Sequence, residues 1–166
     1  YVLNLLKSKR RFLDIGANVG IYSFHFRNIF KNIDAFEPLN EISYRLHHFQ
    51  NEFLKVHDVA LSNKSGELQL YIPYINEKPI ASLASLEKKY CKCEVRTVEV
   101  NTLDNYDFDD VDLIKIDVEG HEQSVIEGAN KVIKKNMPLL IIEIEQRHIK
   151  NNIEEVFQSV LDLNYF

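Results

Sequence analysis

Residues 11–20 read RFLDIGANVG, a short apolar run that ends in a glycine-containing turn. The apolar run predicts a buried strand, and the amphipathic residues from Ile21 to Phe30 predict a helix after the turn. A strand, a turn and a helix in this order place Asp14, Gly16 and Gly20 where a parallel α/β sheet has its ligand crevice. The stretch therefore predicts both a class of fold and a binding site.

Strands and helices alternate along most of the remaining chain. The further predicted strands are 33–36, 54–61, 112–116 and 139–144. The apolar residues at helical spacing are Ile21, Phe24 and Phe30, then Ile42, Leu46, Phe49 and Phe53, then Val125, Ile126, Ala129, Val132 and Ile133 in one helix over about 121–135, and finally Ile153, Val156, Phe157, Val160 and Leu161. This alternation favours an α/β fold of the Rossmann-like type, a doubly wound and mainly parallel sheet with helices on both faces.

Residues 62–110 have a different pattern. The segment begins with the turn SNKSG, after which Leu68, Leu70 and Ile72 recur at every second position, as in a half-buried strand. Residues 95–100 are again rich in β-formers, and the residues between the two strands show little periodicity. We predict a β-rich, hairpin-like insertion whose loop lies over the active site.

The length and composition predict a single globular domain over residues 1–166. The 20 Lys and Arg residues against 25 Asp and Glu residues give a net charge of −5, which is the wrong sign for a protein that holds a nucleic acid. The sequence contains no apolar run of about 18 residues and no signal peptide pattern. We expect no nucleic acid partner, no membrane span and a cytoplasmic location; the oligomeric state stays open.

The cysteines and the chain ends carry two smaller expectations. Cys91 and Cys93 are too few for a closed zinc site, which needs four ligands, so we expect two reduced thiols, as in the cytosol. Position 1 is Tyr, and residues 163–166 resemble the entry to another strand. We therefore expect a chain truncated near its C-terminus.

The glycine spacing after Asp14 argues against two common nucleotide sites. The dinucleotide fingerprint G-x-G-x-x-G requires glycine at the positions of Asn18 and Ile21, and a P-loop requires Gly-Lys followed by Ser or Thr. The pattern is instead D-x-G-x-x-x-G, in which Gly16 allows a ligand to approach the backbone and the next helix offers its N–H groups. Asn18 is compatible with a positive φ angle.

Glu37 ends the second predicted strand, 21 residues after Gly16. An acid at about this distance is placed to accept hydrogen bonds from both ribose hydroxyls of a nucleotide. Asp58, at the end of the third strand, is placed to accept from an adenine amino group, with Val59 against the ring. The competing interpretations are that Asp14 only caps the turn and that Glu37 is a solvated strand end.

A second group of acids follows a later strand of the predicted sheet. Residues 112–122 read DLIKIDVEGHE, and Asp117 ends the strand at the same edge as the first site. Glu122 is interpreted as a first-turn acid that the helix dipole favours. Lys115 is unusual in an aliphatic strand; it is either a side chain that extends to the end of the sheet or an ion-pair partner of Asp117.

Seven short motifs are spread over residues 11–145: DIGANVG, AFEP, VALSNKSG, TLD, IKIDVEGHE, EGA and PLLIIE. Together they resemble the FkbM-type family of class I S-adenosylmethionine-dependent methyltransferases, with IDVEGHE the most discriminating motif. The resemblance implies the class I methyltransferase fold, S-adenosylmethionine as cofactor, and methyl transfer to a hydroxyl oxygen of a sugar or small natural product. It implies that Asp14 faces the methionine amino group. The other cofactor residues implied at this turn are Gly16, Ala17, Asn18 and Gly20.

Methyl transfer from a sulfonium to a hydroxyl is an in-line displacement, so the protein mainly holds the reacting atoms in position. A base that takes the hydroxyl proton adds a factor of roughly 10²–10⁴. The candidate catalytic residues are Asp117, Glu119 and His121, the last because imidazoles ordinarily titrate near neutrality. A divalent metal held by Asp117, Glu119 and Glu143 is an alternative, although the spacing does not require one.

Two other functions stay open. One is a different Rossmann-like enzyme with an adenosine ligand, and the other is a cofactor-binding module without catalysis. An NAD or FAD enzyme should carry glycine at positions 18 and 21, whereas an inactive module should have lost Glu37 or Asp117. Both acids are present.

Overall fold

The protein is built from alternating strands and helices. The computed structural model describes residues 2–87, 92–145 and 153–165. The strands are β1 (Arg11–Ile15), β2 (Asn32–Phe36), β3 (Leu54–His57), β4 (Ala60–Leu61), β5 (Gly66–Ile75), β6 (Lys78–Pro79), β7 (Cys93–Asn101), β8 (Val111–Ile116) and β9 (Leu139–Ile142). The α-helices are α1 (Val2–Leu5), α2 (Ile21–Phe26), α3 (Asn40–His47), α4 (Glu122–Glu127), α5 (Asn130–Asn136) and α6 (Ile153–Leu161).

The central sheet has five parallel strands in the order β3-β2-β1-β8-β9. Alternate side chains of each strand point to opposite faces. Leu13 and Ile114 pack with residues of α4 and α5 on one face, whereas Phe12 and Leu113 pack with Phe26 of α2 on the other. The predicted doubly wound α/β fold is thus confirmed. The strand order reverses between β1 and β8, so their carboxyl ends form the switch point where such sheets bind ligands.

The first predicted helical stripe is wrong in its orientation. Ile21 and Phe24 are exposed, whereas Ser23 and Phe26 face inward, and Phe30 is buried beyond the end of α2. The cause is a pair of hydrogen bonds. The Ser23 hydroxyl and N–H both donate to the buried Asp14 carboxylate, which turns this side of the helix toward the sheet.

The second predicted helix is shorter than its apolar spacing suggested. Helix α3 buries Ile42 and Leu46 as expected, but Phe49 and Phe53 lie beyond its end and are exposed. The side chain of Asn51 accepts hydrogen bonds from the N–H groups of Phe53 and Leu54, at 2.7 and 2.9 Å. These local bonds turn the chain into β3 and compete with a longer helix.

The helix predicted over about 121–135 is two helices, α4 and α5. In one continuous helix the N–H of Val132 would donate to the carbonyl oxygen of Gly128. Instead, this N–H donates to Oδ1 of Asp104 at 3.0 Å, and the Gly128 carbonyl accepts from the N–H of Asp104 at 3.0 Å. Asp104, from the TLD motif, therefore caps α5 and separates it from α4.

Two strand predictions also change. The strand predicted over 54–61 divides at Asp58 and Val59 into β3 of the central sheet and β4 of a second sheet. The strand predicted over 139–144 ends at Ile142 and is only partly buried. In the predicted strand at 163–166, Leu163 and Asn164 form a turn after α6, and the Tyr165 hydroxyl donates to the Pro138 carbonyl at 2.6 Å; Phe166 lies outside the described residues.

The second sheet has the order β4-β7-β5-β6. Strands β5, β6 and β7 lie within the predicted insertion over residues 62–110, whereas β4 comes from the end of the preceding predicted strand. Strands β5 and β7 pair antiparallel, from Gly66 opposite Val100 to Pro73 opposite Cys93, and β4 pairs parallel with β7. Leu70, Ile72, Val98 and Val100 form a small core with Leu39 and Ile42 beside the start of α3. This packing fixes the second sheet against the carboxyl edge of the central sheet.

Two remaining expectations concern cysteines and membranes. Cys93 is a free thiol, and Cys91 lies outside the described residues. None of the helices in the described ranges combines the length and apolarity needed to cross a bilayer.

Candidate active site

The first turn brings the ends of β1 and β8 into backbone contact at Gly16. Its φ angle is +72°, in the left-handed region. A Cβ atom here would lie 1.9 Å from the carbonyl oxygen of Asp117. The N–H groups of Gly16 and Ala17 both donate to the Phe36 carbonyl, each at 3.0 Å. The sequence attributed the need for glycine to a ligand; the structure shows that the neighbouring strand already requires it.

Asn18 and Glu37 connect this turn to the end of β2. Asn18 adopts a φ angle of +52°, which its residue type tolerates. Its N–H donates to Oε2 of Glu37 at 3.1 Å, and the N–H of Leu39 donates to Oε1 at 3.1 Å. Burial raises the pKa of Glu37 to about 7, although the two N–H donors act in the opposite direction. Glu37 is thus a buried strand end and not a solvated one.

A cavity opens at the switch point of the central sheet. Gly16, Asn18 and Glu37 line it from the ends of β1 and β2, and Asp117 and Glu119 line it from the loop after β8. Other residues of its lining are Pro38, Val59 and Glu143. Residues from two loops that the sequence treated as separate sites therefore share one cavity.

The second sheet and the loop after β6 supply much of the apolar lining of this cavity. These side chains are Leu61, Leu70, Ala81, Ala84 and Leu86. Residues 80–86 have no periodic pattern, so the sequence did not single them out individually. It predicted only that the loop of the insertion lies over the site. Backbone hydrogen bonds between Tyr71 and Ser85, at 2.8 and 3.0 Å, hold this loop beside β5.

Asp14 lies beneath the cavity and is not part of its lining. Its Oδ2 accepts from the Ser23 hydroxyl at 2.6 Å and from the Ser23 N–H at 3.1 Å. Burial raises the pKa of Asp14, and the ammonium of Lys115 and the Ser23 donors oppose this effect. In this structure Asp14 fixes the first turn of α2 against the sheet, as the capping interpretation expected.

Three other candidate residues also lie outside the lining. Ala17 packs with Ala35 and Leu46, and Gly20, at a φ angle of +83°, begins α2 against Leu46. Asp58 is partly exposed, and its Oδ1 lies 2.8 Å from Nε2 of His47. Gly20 and Ala17 therefore shape the turn. After β3, it is Val59 and not Asp58 that lines the cavity.

Lys115 is a buried cation between the two sites. It lies directly opposite Asp14 in the β1–β8 pairing, so both side chains share one face of the sheet. Its Nζ donates to the Gly16 carbonyl at 2.8 Å and lies 3.1 Å from Oδ2 of Asp117 and 3.7 Å from Oδ1 of Asp14. The ion pair with Asp117 that the sequence suggested is present, and Asp14 and Gly16 are additional partners.

The acids that follow β8 have different surroundings in the loop after this strand. Glu119 has a φ angle of +56°, and its carbonyl accepts from the Ser85 hydroxyl at 2.7 Å. Glu122 is buried, and its Oε1 accepts from the N–H groups of Val118 and Gly120 at 3.3 and 2.8 Å. Glu122 therefore stabilises the loop as a structural first-turn acid, which leaves Asp117 and Glu119 at the cavity.

His121 is buried outside the cavity lining, with both ring nitrogens engaged. Its Nε2 lies 2.9 Å from the Ser62 hydroxyl, and its Nδ1 lies 3.0 Å from Oε1 of Glu87. Both partners belong to the segment of the second sheet. The geometry therefore gives His121 a role in joining this segment to the loop after β8.

The alternative metal site is not assembled in the described part of the chain. Asp117, Glu119 and Glu143 do line one cavity. However, no group of three or more His, Cys, Asp or Glu side chains within the described residues is arranged to hold a metal ion.

Comparisons with known proteins identify the family of the chain. The model of the methyltransferase FkbM domain matches residues 14–166, nearly the whole chain. The chain belongs to the FkbM methyltransferase family. Among solved structures, it is similar to methyltransferase FkbM from Methylobacillus flagellatus KT, with a TM-score of 0.68 and 18% sequence identity over 96% of this chain.

The chain spans 39% of the length of that FkbM structure, and at this identity the similarity concerns the fold. No curated protein gives a significant sequence match. The family and its class I type of fold therefore rest on the family match and the strand order, and the chemistry has to be argued from the cavity.

Proposed function

We propose that the protein is an S-adenosylmethionine-dependent O-methyltransferase. The observation that carries the proposal is that Gly16, Asn18 and Glu37 line the same switch-point cavity as Asp117 and Glu119. The first group suits a nucleoside, and the second provides carboxylates for a reacting hydroxyl. Family membership supports the methyl transfer itself.

The proposed cofactor residues divide between polar and apolar contacts. Glu37 accepts hydrogen bonds from the ribose hydroxyls, for which its carboxylate already lies at the cavity. Val59 packs against the adenine ring, and Asp58 remains a candidate acceptor for the adenine amino group. Gly16 and Asn18 lie along the ligand, and Ala17, Gly20 and Asp14 support the turn beneath them.

The proposed acceptor is a hydroxyl group of a sugar or a small natural product. When bound, S-adenosylmethionine supplies an electrophilic methyl group on a sulfonium. Asp117 and Glu119 are the two candidates for orienting the acceptor hydroxyl, and one of them takes its proton. His121 is assigned to positioning because Ser62 and Glu87 occupy both ring nitrogens.

Calorimetric titration with S-adenosylhomocysteine tests the cofactor assignment. We expect a dissociation constant on the order of micromolar, about −8 kcal/mol, and no comparable binding of NAD. Equal binding of NAD, or no binding of S-adenosylhomocysteine by a folded sample, would overturn the proposal. Turnover with hydroxylated acceptors, followed by NMR of the product, then separates O-methylation from methylation of nitrogen or carbon.

A matched pair of variants tests Glu37 in the same assay. Glu37→Ala should weaken binding of S-adenosylhomocysteine by about 1.5–3 kcal/mol, the range for a hydrogen bond to a charged group. Glu41→Ala is the control, because Glu41 is exposed and pairs with Arg96 away from the cavity. An unchanged affinity in Glu37→Ala would remove Glu37 from the ribose site.

A further inference from the structure

Lys115 acts on the cavity through other residues. Its side chain is only 6% exposed and is not part of the cavity lining, whereas two of its partners, Gly16 and Asp117, are. The third partner, Asp14, is fully buried. The ring of Tyr22 lies 5.4 Å from Nζ and closes the remaining side. A buried ammonium surrounded in this way costs desolvation free energy, which its partners must offset.

The simpler interpretation, a lysine that extends its charge to solvent, does not fit this geometry. A snorkelling lysine keeps its ammonium in water. Here Nζ donates to the Gly16 carbonyl at 2.8 Å and pairs with Asp117 at 3.1 Å, inside the fold. Both contacts fix atoms at the floor of the cavity, on the side toward β8.

The same contacts change which acid is expected to contact the ammonium of a bound ligand. The sequence placed Asp14 against the methionine amino group, but Ser23 occupies Oδ2 of Asp14 and Lys115 faces Oδ1. Asp117 is bound to Lys115 through Oδ2, is 31% exposed and lines the cavity. Asp117 is therefore the acid of this pair that a ligand in the cavity contacts.

We propose that Lys115 is a positioning residue that holds Asp117 and the Gly16 carbonyl so that Asp117 receives the ammonium of the amino acid end of the cofactor. This inference rests on the proposed cofactor. It leaves Glu119 as the carboxylate for the acceptor proton. The positive charge of Lys115 also acts on Glu37, the proposed ribose ligand, where it opposes the increase in pKa that burial causes.

The test compares two ligands that differ only at the amino acid end. S-adenosylhomocysteine carries the ammonium and carboxylate, whereas 5′-methylthioadenosine keeps the adenosine and lacks both. We expect Lys115→Met to weaken binding of S-adenosylhomocysteine by about tenfold or more, because Asp117 loses the charge-assisted contact that holds it in position. Binding of 5′-methylthioadenosine should change less than about twofold. A purely structural role of Lys115 would weaken both ligands by the same factor.

Two further variants keep the test valid if Lys115→Met does not fold. Asp117→Asn should show the same selective loss for S-adenosylhomocysteine, whereas Asp14→Asn should leave the ratio of the two affinities near that of the wild type. A selective loss in Asp14→Asn but not in Asp117→Asn would overturn the inference, as would equal losses of both ligands. If the folded wild type binds neither ligand, the proposed function itself fails.

Discussion

At the scale of the residue, Glu37 shows how burial sets chemistry. Its carboxylate is held by two backbone N–H groups, yet burial still raises its pKa from 4.5 to about 7. The group is therefore divided between its neutral and ionised forms near neutral pH. A ribose diol donates two hydrogen bonds, so it favours the ionised form and lowers the pKa of Glu37 in the complex.

This linkage predicts a pH dependence of binding. Because the complex favours the ionised carboxylate, affinity for S-adenosylhomocysteine should fall as pH drops below about 7, and binding near pH 6 should release a proton. Calorimetry in buffers of different ionisation enthalpy measures the released proton. Glu37→Gln should bind more weakly and without this proton release. The same proton release in Glu37→Gln would assign it to another group.

Other residues show the limit of sequence reasoning at this scale. Asp14 and His121 were expected at the carboxyl edge of the sheet because each follows or ends a predicted strand. Their side-chain contacts could not be read from those motifs, since Ser23 binds Asp14, and Ser62 and Glu87 bind His121. A motif identifies a residue type and its position on an element, but a hydrogen-bond partner depends on which elements pack there.

At the scale of the element, the turn after β1 depends on Gly16. Gly16→Ala combines an unfavourable φ angle with a Cβ atom 1.9 Å from the Asp117 carbonyl oxygen. Gly66→Ala is a matched control, because Gly66 has a φ angle of +141° but a Cβ atom there meets nothing within 4 Å. The control therefore carries backbone strain, about 1–3 kcal/mol, without the steric clash.

We expect Gly16→Ala to reduce the free energy of unfolding by about 1–3 kcal/mol more than Gly66→Ala, the usual cost of overpacking. Urea denaturation of both variants measures this difference. Losses of equal size would mean that the strands separate easily at the switch point. In that case the contact between β1 and β8 would not be what demands glycine.

Element boundaries were harder to predict than element types. The apolar spacing predicted helices in these segments, but it did not predict the break between α4 and α5. That break results from the hydrogen bonds of Asp104. The two residues joined there, Asp104 and Val132, are 28 positions apart in the chain. Periodicity in one segment carries no information about such a distant cap.

At the scale of the whole molecule, polar side chains join the segment of the second sheet to the loop after β8. His121 lies between Ser62 and Glu87, and Ser85 binds the Glu119 carbonyl. The backbone of Gly128 also lies against Ser62, where a Cβ atom would be 2.0 Å from the carbonyl oxygen. The motifs around Ser62, His121 and Gly128 thus meet at one joint.

A double-mutant cycle tests this joint. Ser62→Ala and His121→Ala should each lower the free energy of unfolding, and their combined effect should differ from the sum by about 0.5–1.5 kcal/mol, because they share a buried hydrogen bond. Ser159 on α6 provides the control, since Ser62→Ala and Ser159→Ala should be additive. Additivity between Ser62→Ala and His121→Ala would contradict the joint. Chemical denaturation is the measurement throughout.

The sequence by itself determined the fold class, the β-rich character of the second segment and the edge of the sheet that carries the acids. These properties follow from local periodicity and from the rule that parallel strands present their carboxyl ends together. Glu37 and Asp117 could be singled out for the same reason, since each is placed by the strand that precedes it.

Only the tertiary structure decided which acids reach the cavity, where the helices break and what Lys115 contacts. Lys115 and Gly16 are 99 residues apart, Ser62 and His121 are 59 apart, and Ser85 and Glu119 are 34 apart. Each pair forms because separate elements pack together and bury polar groups that then require partners. The physical reason is that burial, which sets both hydrogen bonding and charge, belongs to the packed chain and not to any one segment.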